Sequence, residues 1–209
     1  MESRYGRKIG IWWVYCLSIA ACQSKNISQE AVYDLSLSQS GDVIYRLGNG
    51  LYSNFFKDFS DKDKRYSHVG IIYRTDMTDT VFVIHAEGDD LSGIGGIKKV
   101  TATTFLQDTK DWAIYRLKSD DSIRQRVAEQ VLFYFKKKDI AFDMAFDTED
   151  STAFYCSELI AHCINNACNA KVIMPNTTKN NRPYIAIDDT YLTNKMQLIL
   201  YKLENTAQY

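Results

Sequence analysis

The chain has 209 residues, 45% hydrophobic and 13% aromatic, with a formal net charge of −1. That length suits one domain with a sizeable core, and 14 tyrosines with 10 phenylalanines exclude disorder as the main state. The near-neutral balance excludes a general nucleic-acid binder, and five unevenly spaced cysteines do not build a disulfide framework.

Arg4, Arg7 and Lys8 make a basic start, and an apolar run from Ile9 to Ala21 follows. Thirteen helical residues reach about 20 Å, short of a hydrocarbon core of roughly 30 Å, so the pattern predicts a secretory signal over residues 1–21. Ile19-Ala20-Ala21-Cys22 resembles the bacterial lipobox, which implies lipidation of Cys22 as the mature N-terminus. The alternative is an ordinary cysteine behind a signal or short anchor. Gln23 at the next position implies outer-membrane sorting. Residues 22–40 are polar and are expected to form a tether, leaving 41–209 as the folded domain. The weakly acidic remainder has no electrostatic hold on anionic lipid, so membrane attachment would come from the acyl chains.

Gly41-Asp42 opens a predicted strand, Val43 to Leu47, broken by Gly48-Asn49-Gly50. Leu51, Phe55, Phe56 and Phe59 recur at helical spacing and predict a short amphipathic helix. A charged loop, Ser60 to Arg65, precedes apolar strands at Val69 to Tyr73 and Val81 to Ala86, joined as a hairpin. Gly88 to Ile97 is glycine-rich and expected as a flexible pocket rim, with Lys98 and Lys99 solvated. Trp112 to Leu117 predicts a strand, and Asp121 or Ser122 can cap a helix carrying Ile123, Val127, Val131 and Phe135. A helix from near Tyr155 carries Leu159, Ile160, Cys163, Ile164 and Ala167, and Met196 to Leu203 reads as a closing strand.

The chemistry lies in two segments. Ser67-His68-Val69-Gly70-Ile71 and Ile84-His85-Ala86-Glu87 sit on the paired strands; Phe154-Tyr155-Cys156-Ser157-Glu158-Leu159 opens the late helix. A thiol at a helix start meets unpaired N–H groups and the positive end of the dipole, which favours thiolate. A nucleophile also needs a base and a group to orient that base. His162 shares the helix of Cys156 but points elsewhere, so His68 and His85 are the candidates. Pairing Ile72 with Val81 would set the two imidazoles directly opposite.

These segments resemble, across roughly Gly41 to Ala167, the permuted papain-like amidases of the YiiX/YebB type within the NlpC-like cysteine hydrolases. In unpermuted relatives the cysteine helix comes first; here it follows the histidine strands. The resemblance implies an α+β fold, a central antiparallel sheet or barrel packed against helices, with the nucleophile helix near the C-terminus. It implies Cys156 as nucleophile, His68 as base and His85 as third residue, where YiiX-type sequences more often carry glutamate. Glu87, on the same strand face, is the alternative third residue.

The implied reaction is acyl transfer through a thioacyl-enzyme, with the Cys156 N–H as one oxyanion donor. Tyr155, Tyr66 and Ser157 are expected at the substrate pocket, with Phe154, Phe146, Asp143 and Asp147 as further lining. No cofactor and no metal are expected, although two histidines and a cysteine could hold zinc. Expected partners are a small amide or peptide, including peptidoglycan fragments, and the membrane through the lipid anchor, not nucleic acid. Location is expected at the bacterial envelope, facing the periplasm. A lipid or acyl-ester substrate and a non-catalytic binding lipoprotein are the competing readings.

Overall fold

The computed structural model describes residues 33–49, 53, 56–75, 77–89, 92, 94–146, 148, 152–179 and 181–202, all within the compact unit Val32–Tyr209. The expected signal segment, Cys22 and half of the expected Leu51–Phe59 helix lie outside the described residues. Among the described residues ten strands run along the chain: β1 (Val43–Leu47), β2 (His68–Thr75), β3 (Thr78–Gly88), β4 (Gly95–Thr101), β5 (Asp111–Leu117), β6 (Ala141–Phe142), β7 (Ala153–Phe154), β8 (Thr177–Lys179), β9 (Arg182–Tyr184) and β10 (Met196–Tyr201). The described α-helices are α1 (Ala102–Phe105), α2 (Asp121–Lys137) and α3 (Cys156–Cys168), with a 3-10 turn at Asp188–Thr190. Eight strands form one sheet in the order β10-β5-β1-β2-β3-β4-β6-β7, almost wholly antiparallel, and β8–β9 is a separate ribbon.

Strand alternation gives the sheet two apolar faces. Val43, Tyr45, Val69, Ile71, Ile84, Ala86 and Tyr115 point to one core, shared with Val127, Val131, Leu159, Ile160 and Ile164 of α2 and α3. Ile44, Ile72, Val83, Trp112 and Ile114 point to the other, closed by Ala102 and Phe105 of α1, by Leu106 and by Leu35. Leu35 therefore belongs to the core, and the Tyr33 hydroxyl donates to the Leu106 carbonyl at 2.8 Å. The stretch expected to run free as far as Ser40 is bound to the domain from Tyr33 onward.

Glycine content misleads at β3–β4. Only the ends of the predicted rim are strand, Gly88 closing β3 and Gly95 to Ile97 opening β4 in a pair that continues to Gly88↔Gly95, while Gly88 and Asp89 do line a cavity. A Cβ at Gly95 would lie 2.1 Å from the Glu87 carbonyl oxygen, so the glycine marks close backbone approach. Lys98 is tied to Glu87 at 3.0 Å, and Lys99 lies 4.4 Å over the Phe82 ring; neither is simply solvated.

Asp42 is fully buried at the head of β1. Its carboxylate accepts from Arg116 Nε and Nη2, both at 2.8 Å, and from the Gln39 amide at 2.7 Å. Asp42→Ala strands a half-buried guanidinium, and unfolding free energy from urea titration should fall by about 3–5 kcal/mol. A loss under 1 kcal/mol would show that the pair does not hold the sheet.

Candidate active site

Cys156 is the first residue of α3, at the helix end where backbone N–H groups lack intrahelical partners. The Tyr155 N–H donates to Glu158 Oε2 at 3.3 Å, a reach-back that fixes where the helix begins. The turn is anchored again at Ile185, whose carbonyl accepts from Ser157 Oγ at 2.8 Å and whose N–H donates to the Tyr155 hydroxyl at 3.0 Å. Burial pushes the Cys156 thiol up to about 11, against the amides of Ser157, Val69 and Cys156 itself, which pull it down. The helix start alone predicts a lowered value; here desolvation outweighs it. The Val69 amide also gives position, because the sulfur lies against the residue that follows His68.

His68 opens β2, and its Nε2 lies 2.8 Å from His85 Nδ1, the rings nearly perpendicular at 85°. The register differs from the expected one by two residues: Ile72 pairs with Val83 rather than Val81. A shift of two keeps both imidazoles on one face. Continued, it sets Gly70 opposite His85 and Glu87 opposite His68, so the rings meet on the diagonal. Gly70 makes room: a Cβ there would lie 2.5 Å from Val83 Cγ1 and 3.1 Å from His85 Cβ. Burial first, then the charge of His85 and those of Arg46 and Lys98, hold His68 well below the ordinary histidine value. Burial lowers His85 to about 4, with Glu87 opposing. With Nε2 engaged, His68 Nδ1 is the nitrogen left to take a proton. That tautomer puts the proton of His85 on its Nε2, which has no hydrogen-bond partner among the described residues.

Glu87 is engaged elsewhere, by Arg46 at 3.3 Å and Lys98 at 3.0 Å. Arg46, missed by the sequence reading, lies 4.9 Å over the Phe105 ring and donates to the Phe105 carbonyl at 2.9 Å. Phe105 packs on His68 and His85 with centroids at 5.5 and 5.2 Å. Alternation along β1 could have placed Arg46 beside His68, its partner in the β1–β2 ladder. Nothing local to Ala102–Phe105 signals that Phe105 supports the imidazoles.

His68, Cys156, Tyr155 and Glu87 line one cavity of about 490 Å³. Ser157 is buried in the α3 turn and acts through its anchor to Ile185. Tyr66 is not at this cavity: it is 2% exposed and packs on Tyr45 and Tyr191 at 5.5 and 5.4 Å. Phe154 is core, against Tyr134, and Asp143 is buried with its carboxylate accepting from the Ala145 amide. Asp147 lies outside the described residues. Phe146 does line the cavity, at φ +54°, a left-handed conformation that a bulky side chain enters at a cost. His162 Nε2 lies 2.7 Å from the Tyr134 hydroxyl and 2.8 Å from Asn166 Nδ2, and Cys163 and Cys168 are free thiols.

A helix that begins at a cysteine, laid on an antiparallel sheet whose strand opens at a histidine, defines the papain-like class of fold. The chain belongs to the permuted papain-like amidase family, YaeF/YiiX, C92, which its residues 38–189 match, and thus to the hydrolases. The fold is also that of the crystal structure of metalloprotein YiiX from Escherichia coli O157:H7, with a TM-score of 0.61 and 16% identity. That match covers 78% of this chain and 97% of the YiiX chain. No curated protein matches.

Proposed function

We propose that the protein is a cysteine hydrolase of amides, with Cys156 as nucleophile, His68 as base and His85 as the group that orients His68. One observation carries the reading: the Cys156 thiol and an imidazole already held by a second imidazole open onto the same cavity. A raised thiol and depressed imidazoles make the resting pair neutral. The proton therefore moves from sulfur to His68 Nδ1 as sulfur attacks the carbonyl, rather than beforehand. The Cys156 N–H, at the helix start where backbone donors have no intrahelical acceptor, is the donor offered to the developing oxyanion. His68 then gives the proton to the departing amine, and water releases the acyl group. Peptide amides, including those of cell-wall fragments, belong to this substrate class. The Ile19–Cys22 motif supports attachment to the bacterial envelope through lipid on Cys22, probed by mass spectrometry of the processed N-terminus.

A metal reading fits this chain less well. His68, His85 and Glu87 hold ligand atoms within 4.8 Å of one another, and YiiX is described as a metalloprotein. The two imidazoles, however, share a proton at 2.8 Å, and Arg46 and Lys98 already take the Glu87 carboxylate. A dication would have to displace both cations from the carboxylate.

The neutral pair has a direct test. Alkylation of Cys156 by iodoacetamide should rise about tenfold per pH unit from pH 7 to 10, because the thiolate fraction grows towards a value near 11. A rate already level by pH 7 would mean a preformed thiolate–imidazolium pair. A Cys156 that resists the reagent throughout, while Cys168 is labelled, would end the nucleophile assignment.

A further inference from the structure

The cavity has two chemically different walls. The wall continuous with α3 is aromatic: Phe146 packs 5.3 Å from Tyr155, Tyr184 stacks on Tyr155 at 5.2 Å and 16°, and Phe56 lies 6.3 Å from Phe146. Met144, 55% exposed, extends that wall toward the mouth. The wall continuous with His68 is polar: Arg46 is its ladder partner, Glu87 shares its face, and Gln107 and Asp108 follow the Phe105 that packs against it.

The chemistry orients a substrate between these walls. Attack forms the S–C bond and breaks C–N; the proton taken from sulfur by His68 goes to the leaving nitrogen. The acyl group stays on Cys156, and water then breaks the thioester to give a carboxylic acid and regenerate the thiol. The amine must leave where His68 can reach it, on the polar side, and the acyl chain must extend from sulfur, on the aromatic side. Resting on the hydrolase reading above, we infer that the substrate is an amide of an apolar acyl group with a polar amine, the acyl chain lying against Phe146, Tyr155 and Tyr184.

The test is a series of N-acyl glycinamides from acetyl to octanoyl, with amine release read by a primary-amine reagent. kcat/KM should rise about two- to fourfold per added methylene. Calorimetric affinity for Cys156→Ala protein, which binds without turnover, should climb in the same order. Phe146→Gly keeps the left-handed backbone but removes the ring, and should flatten the rise of kcat/KM with chain length. The native series decides the matter if that variant does not fold. Octanoyl and acetyl amides turned over and bound equally well would overturn the inference and leave the hydrolase reading intact. Binding that strengthens with chain length, with no turnover by the native protein, would support the acyl wall and overturn the hydrolase reading instead.

Discussion

Cys156→Ala is expected to lower amide hydrolysis by roughly 10⁴-fold or more, because neither of the other described thiols can take its place. Cys163 is fully buried and Cys168 stands at the far end of the same helix. The fold should survive the change, since the helix start is fixed by Tyr155, Ser157 and Glu158 rather than by sulfur. Cys163→Ala should behave in the opposite way, loosening the core by about 1 kcal/mol while leaving turnover near normal. Thermal melts beside rate measurements separate the two. Wild-type turnover by the Cys156 variant would refute the mechanism outright.

His68→Ala is expected to cost about 10²–10⁴-fold in kcat, the range for loss of a positioned general base. His85→Ala should cost less than His68→Ala and more than Glu87→Gln, because only His85 bonds directly to the base while Glu87 is tied to Arg46 and Lys98. A larger loss in the Glu87 variant would transfer the orienting role to the carboxylate. The base must be unprotonated to work, and His68 sits well below its ordinary value. Activity should therefore hold from neutral pH down past 6 and fail only in stronger acid. A limb centred near pH 7 in kcat/KM would contradict the buried neutral imidazole. Rates unchanged after dialysis against a chelator are expected alongside.

The central strands were legible because alternation is strong there: β1 begins and ends where the pattern puts it, and β2 and β3 differ only at their ends. β3 starts three residues earlier than predicted, at Thr78, since Thr78 to Thr80 face solvent and leave no apolar trace. β4 was hidden by Gly95 and Gly96, which read as loop although they permit tight strand pairing. In the site, Cys156 and the two histidines carry their meaning in residue type and local position. Tyr66 does not, because a tyrosine beside a motif looks the same whether it faces a pocket or a cluster of other tyrosines. Arg46, Phe105 and the aromatic wall depend on distant segments meeting, which no local pattern encodes.

The late position of α3 bears on synthesis. β1 to β4 supply both imidazoles, Glu87 and Arg46 within the first half of the chain, and these local pairings can form early. The nucleophile follows only after two more helices and three more strands, several seconds later at roughly 5–20 residues per second. A nascent chain halted before residue 156 would hold the base without its nucleophile, so ribosome-bound intermediates should be inert toward amides.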